Sequence, residues 1–142
     1  MQNLVAVELL PIPENVSLAR IIAAGFVAQL DPTVEEVSDI KTAVSEAVTN
    51  AIIHGYDGTD TGGMVKLELA QHGRDITIKI IDNGVGIENV ETAREPMYTT
   101  KPDMERSGLG FTVMESFMDT VQVLSNPGHG TTIVLCKKLG AK

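Results

Sequence analysis

Glu46 and Asn50 stand one helical turn apart, Asp82-Asn83-Gly84-Val85-Gly86 follows an apolar run, and Gly108-Leu109-Gly110 comes later in the chain. On one helical face, Glu46 could take a proton from a hydroxyl or water while Asn50 supplied an oxygen to a metal. Magnesium suits that pairing, because it takes only one or two protein oxygens and leaves the rest of its shell to phosphates and water. Asp82 offers a carboxylate acceptor to the exocyclic amino group of adenine, and Gly84 and Gly86 let backbone approach a flat base closely. Gly108 and Gly110 open a helical pattern, where free N–H groups and the helix dipole favour phosphate. Lys101 and Arg106 could add positive charge there. In this order the motifs read as an ATP site. Taken singly, Glu46 and Asn50 would be a solvated helical pair, and the Asp82 pentad an ordinary turn after a strand.

The elements that must position these residues are legible in the surrounding pattern. Leu4 to about Leu10 predicts a strand that stops at Pro11 and Pro13. Val16, Ala19, Ala23, Phe26, Val27 and Leu30 recur at helical spacing over about 15–30, until Asp31-Pro32 breaks the element. Thr33 with Glu36 forms a capping box for a second helix, whose stripe of Val37, Ile40, Val44, Ala47, Val48 and Ala51 runs toward Gly55. Glu46, Asn50 and His54 follow a polar stripe at i,i+4 spacing on its border.

After a turn-rich loop over 57–63, Val65, Leu67 and Leu69 alternate with polar residues, His72-Gly73-Arg74-Asp75 turns the chain, and Ile76 to Ile81 runs directly into Asp82. The polar stretch from Ile87 to Gly108 reads as a lid. A third helix over 110–118 and strands at 121–124 and 131–135, joined by Asn126-Pro127-Gly128-His129-Gly130, complete the chain. The methionines near that helix read as core. The fold class expected is α+β, a two-layer sandwich of a mixed, mostly antiparallel sheet with helices on one face. No Gly-x-Gly-x-x-Gly or Gly-Lys-Ser/Thr phosphate loop is present.

Composition narrows the function classes. The 142 residues are most simply one domain, 1–142, with a hydrophobic fraction of 43% and aromatics at 4%, so the core must come from Val, Ile, Leu, Met and Ala. A formal net charge of -8 argues against direct nucleic-acid binding, which depends on Lys and Arg, and leaves room for a basic protein partner. The single Cys136 cannot form an intrachain disulfide and reads as a strand residue. The N-terminal residues lack a signal-peptide pattern and no run spans a bilayer, which predicts a cytoplasmic protein without membrane contact.

The three motifs resemble the ATP-binding family of DNA gyrase, Hsp90, histidine kinases and MutL, whose asparagine box and two glycine boxes occur in this order. That resemblance implies a Bergerat-type fold, with Thr131 after Gly130 supporting the adenine pocket. Longer runs, among them Phe26 to Pro32, Ser45 to Tyr56, Thr99 to Pro102 and Glu105 to Glu115, are similar to the sporulation anti-sigma F factors, serine-protein kinases of that family. The resemblance covers the chain end to end. It implies a homodimer that holds sigma factor F inactive and, with Mg2+ and ATP, phosphorylates a serine of an anti-anti-sigma factor, leaving ADP.

Carried onto this sequence, the resemblance makes Glu46 the general base toward the serine and Asn50 the magnesium ligand. Arg106 would engage the γ-phosphate. Nucleotide contacts would come from Asn50, Asp82, Gly84, Gly86, Thr100, Lys101, Ser107, Gly108, Leu109, Gly110 and Thr131, and a partner contact from Arg20. Other readings are an ATP-gated binding module without phosphoryl transfer, a general-stress anti-sigma kinase of the same family, and a histidine kinase catalytic domain served by phosphoacceptor helices on another protein.

Overall fold

Alternation at period two and apolar stripes at helical spacing become strands and helices in the order expected. The computed structural model describes residues 2–55, 63–83, 110–126 and 130–140, with His54 and Asn126 described by backbone alone. These form β1 (Asn3–Leu9), α1 (Glu14–Ala28), α2 (Val34–Asn50), a π-helical turn (Ala51–Gly55), β2 (Val65–His72), β3 (Asp75–Asp82), α3 (Gly110–Phe117), β4 (Thr120–Asn126) and β5 (Gly130–Lys138). The loop expected over 57–63 falls outside the described residues except at its end, and the lid expected over 87–108 lies wholly outside them.

The strands form one sheet in the order β1-β2-β3-β5-β4. Every pairing among the described residues is antiparallel, the limiting case of the mostly antiparallel sheet expected. Gly73, at φ 63°, and Arg74 make the β2–β3 turn, so that His72 pairs with Asp75. Glycine suits that backbone because it lacks the Cβ that would crowd a left-handed conformation.

Antiparallel register sorts the side chains into two faces. Val65, Leu67, Leu69, Ile76, Ile78, Ile80, Ile133 and Leu135 are buried and face the helices. Against them α1 buries Ala19, Ala23, Phe26 and Val27, and α2 buries Ile40, Ala43, Val44, Ala47 and Val48. α2 is the central helix, packed on α1 and on α3. Met114 and Met118 are buried, as core methionines should be. Cys136 lies on β5, its sulfur 3.9 Å from Thr77 Oγ1.

α2 begins where the capping box places it. Glu36 N–H donates to Thr33 Oγ1 at 3.0 Å, and Thr33 N–H donates to Glu36 Oε1 at 2.8 Å. The second carboxylate oxygen of Glu36 accepts from Gly140 N–H at 2.8 Å, and Arg74 binds the carbonyls of Gly140 and Leu30. One carboxylate thus ties the start of α2 to the chain after β5.

Hydrogen bonds from the backbones of Thr33 and then Gly140 hold the Glu36 carboxyl below its ordinary 4.5, with smaller help from the Thr33 hydroxyl and Arg74 and some opposition from burial. A depressed folded-state pKa contributes stability above the ordinary value, and that contribution disappears as pH falls through the folded value. The wild-type urea midpoint is therefore expected to drop below pH 4.5 more steeply than that of Glu36→Gln. Parallel acid limbs for the two proteins would show that Glu36 does not couple protonation to folding.

Candidate active site

Three strands meet in one lateral row at the end of the sheet. Ile78, Leu135 and Val121 are cross-strand neighbours, then Ile80, Ile133 and Val123, and two residues further along come Asp82, Thr131 and Ser125. A two-residue step keeps the same face, so the last row faces the helices as the apolar rows do, with polar side chains in place of aliphatic ones. Asp82 is 5% exposed and Thr131 7%.

The end of α2 carries two more of the expected residues. Asn50 is its last residue and is 7% exposed, while Glu46, one turn earlier, is half-buried and engaged. The π-helical turn Ala51–Gly55 follows immediately and packs on both β3 and β5, the strands that carry Asp82 and Thr131. Among the described residues, the buried polar side chains are Asn50, Asp82 and Thr131. Buried polar groups are the informative exceptions in a hydrophobic interior, and all three are residues that the sequence pointed to.

The π turn changes one expectation. α2 ends as an α-helix at Asn50, so the i,i+4 line through Glu46 and Asn50 does not continue with α-helical phase to His54. In a π turn the backbone bonds i to i+5 and winds less per residue, and such turns recur at functional sites.

Gly130 fixes how closely the two strands approach. Its φ is 90°, and a Cβ built there would lie 2.7 Å from Asn83 Cα and 2.9 Å from Asp82 C, closer still to the Asp82 carbonyl oxygen. Next to it, Ser125 Oγ is 2.9 Å from Thr131 Oγ1 and donates to Gly130 O at 3.1 Å. Sequence reasoning missed Ser125 because it ended β4 at Leu124. The alternation Val121, Val123, Ser125 opposite Thr131 was the signal that could have found it.

A second polar contact secures the helix layer. Lys137, on the helix-facing side of β5, donates from Nζ to the Phe117 carbonyl at 2.9 Å and lies 3.6 Å from Asp39 Oδ2. It caps the C-terminal end of α3 and reaches α2 at the same time, a favourable place for a cation. Gly110 is buried at the first position of α3, and α3 packs on α2.

Of the remaining expected residues, Arg20 is exposed on α1, away from this row in sequence and element. Gly84, Gly86, Thr100, Lys101, Arg106, Ser107, Gly108 and Leu109 lie outside the described residues. No helix among the described residues is long and apolar enough to cross a membrane.

Comparison with known proteins identifies the family and the fold. Residues 10–137 match the family described as histidine kinase-like ATPase domain. An anti-sigma F factor of Clostridium beijerinckii is 54% identical over 136 residues, covering 96% of this chain and 94% of the relative. One of Clostridium perfringens strain SM101 is 55% identical over 139 residues, covering 98% and 99%. Among solved structures, the RsbU and RsbW domains of a Mycobacterium tuberculosis protein superpose with a TM-score of 0.72 at 19% identity, over 99% of this chain and 34% of that one. The catalytic domain of the histidine kinase ThkA superposes with a TM-score of 0.59 at 13% identity, over 97% of each chain.

Proposed function

Because the chain belongs to the histidine kinase-like ATPase family and, within it, to the anti-sigma F factors, we propose that it is an ATP-dependent serine kinase that also holds sigma factor F. In this reading the protein, as a homodimer in the cytoplasm, binds Mg-ATP and phosphorylates a serine of an anti-anti-sigma factor. The observation that carries it is the burial of Asn50, Asp82 and Thr131, polar residues from separate motifs, together with the packing of the π turn that follows Asn50 on β3 and β5, the strands that carry the other two.

Each residue has a task that its surroundings support. The Asp82 carboxylate, at the strand end, accepts from the adenine amino group, and Thr131 lies beside it. The carboxamide oxygen of Asn50 is a hard neutral donor, fitted to be one protein ligand of a magnesium ion whose other oxygens come from phosphate and water. Magnesium bound there would neutralise charge on the phosphates. Glu46, one turn before Asn50, takes the proton of the substrate hydroxyl as the serine oxygen bonds to the γ-phosphorus. The bond from that phosphorus to the β,γ-bridging oxygen breaks, and ADP departs. Arg106, with Lys101, compensates charge on the γ-phosphoryl group, and backbone from Gly84, Gly86 and the run Ser107 to Gly110 holds base and phosphates. Phosphoryl transfer asks mainly for this kind of positioning and charge stabilisation.

Arg20 serves the protein partner. It is exposed on α1 between Leu18, 43% exposed, and Ile21, 66% exposed, a cation flanked by apolar side chains that water leaves accessible. Such a mixture suits a protein contact better than a nucleotide site.

The direct test mixes the protein with γ-labelled ATP, magnesium and an anti-anti-sigma factor, and expects label on a serine of the latter. Tight ATP binding with no transfer would favour the ATP-gated module, and transfer to a general-stress antagonist alone would move the protein to that branch. Asp82→Asn is expected to weaken ATP binding about ten- to a hundredfold, the loss of a charge-assisted hydrogen bond. Undiminished affinity, measured by calorimetry, would refute the adenine role of Asp82.

A further inference from the structure

We infer that Ser125 fixes the hydrogen-bonding polarity of the base pocket by holding the Thr131 hydroxyl as an acceptor toward it, so that the site selects a 6-amino purine over a 6-oxo purine. The inference rests on the reading that Asp82 and Thr131 receive the base of ATP.

The argument is one of proton count. Ser125 Oγ lies 3.1 Å from the Gly130 carbonyl oxygen and 2.9 Å from Thr131 Oγ1. A carbonyl oxygen only accepts, and a serine hydroxyl has a single proton. With that proton on Gly130 O, the Ser125 oxygen meets Thr131 as an acceptor, and Thr131 is the donor between them. The reverse assignment would set Ser125 lone pairs against the Gly130 carbonyl at 3.1 Å. The proton of Thr131 is thus directed along the row toward β4, and its lone pairs are left for the pocket.

On the other side of Thr131 the register places Asp82, whose carboxylate also accepts. The row therefore presents acceptors. An exocyclic amino group satisfies them directly, or through a water that donates to both residues and accepts from the amino group. A 6-oxo group would bring its own lone pairs to a site where Asp82 is 5% and Thr131 7% exposed, with little bulk water to relieve the mismatch. Ser125 is half-buried on the edge strand β4 and belongs to none of the three motifs.

The test measures equilibrium binding of ATP and ITP, whose bases differ at the 6-position and its adjoining ring proton. Wild type is expected to bind ITP at least about tenfold more weakly than ATP. In Ser125→Ala the Thr131 hydroxyl is free to rotate and donate to the 6-oxo group, and the ITP penalty shrinks about fivefold with a smaller change in ATP affinity. Ser125→Thr, which keeps a hydroxyl, retains the wild-type ratio. In a Thr131→Val background, adding Ser125→Ala leaves the ratio where it was.

An unchanged ratio in Ser125→Ala with ATP binding intact would overturn the assignment while leaving the nucleotide reading standing. So would a Ser125→Thr ratio as relaxed as that of Ser125→Ala, or an equal shift in the Thr131→Val background. Wild type that bound neither nucleotide would remove the ATP reading itself.

Discussion

Glu46→Ala is expected to lower transfer of γ-phosphate to serine by about 10²- to 10⁴-fold, the usual contribution of a positioned general base. ATP affinity should hardly change, because the proton leaves the serine only as the transition state forms, and an interaction made only there appears in kcat rather than in binding. The helix should survive as well. Alanine is the best helix former, and position 46 lies inside α2 beside buried Ala47 and Val48. Single-turnover transfer and calorimetric ATP binding, measured on the same preparation, separate the outcomes. Unimpaired transfer would remove Glu46 as the base, and joint loss of binding and transfer would make it a nucleotide ligand.

Gly130→Ala should harm both the fold and the site. A φ of 90° is strained for a residue with a side chain, at a cost of about 1–2 kcal/mol. The new methyl group would also press on backbone of residues 82 and 83, which cannot rotate aside as a flexible side chain would. Overpacking of this kind adds about 1–3 kcal/mol. Relief requires the end of β3 to move, and Asp82 moves with it. We expect a lower urea midpoint, together with weaker ATP binding under conditions where the variant remains folded. Gly25→Ala is the control, since among the described residues nothing beyond the neighbouring backbone of α1 lies within 4 Å of a Cβ there, and it should stabilise the protein by roughly 0.5–1 kcal/mol. If Gly130→Ala matched wild type in midpoint and ATP affinity, the close strand approach would carry no cost.

Most of the elements were legible because their signals are local. Thr33 and Glu36 satisfy each other within one turn, Gly73 sits between two alternating runs, and Pro32 follows the end of α1, so each needs only its neighbours in sequence to be understood. Lateral order is a different matter. β1 lies beside β2 although two helices intervene, and β3 beside β5, and no neighbouring residue encodes either choice.

The site divided in the same way. Asp82 announced itself at the end of an apolar strand, whereas Ser125 and Asn126 resemble the start of a turn until the register shows Ser125 opposite Thr131. The π turn after Asn50 was hidden because Ala51-Ile52-Ile53 is compatible with an ordinary helix. Its packing on β3 and β5 is tertiary. Lys137 occupies a helix-facing strand position that the alternating pattern reserves for apolar residues, and only its contacts with Phe117 and Asp39 explain it.

The β3–β5 pairing joins two hairpins that are each local in sequence, β2–β3 and β4–β5. Hairpins close cheaply and early, but pairing Asp82 with Thr131 closes a loop of roughly fifty residues and carries a larger entropic cost. That seam is where Asp82 and Thr131 face one another. A nucleotide held by both residues would recognise the completed sheet and neither hairpin alone, so occupancy of the site would report, and by mass action favour, completion of folding.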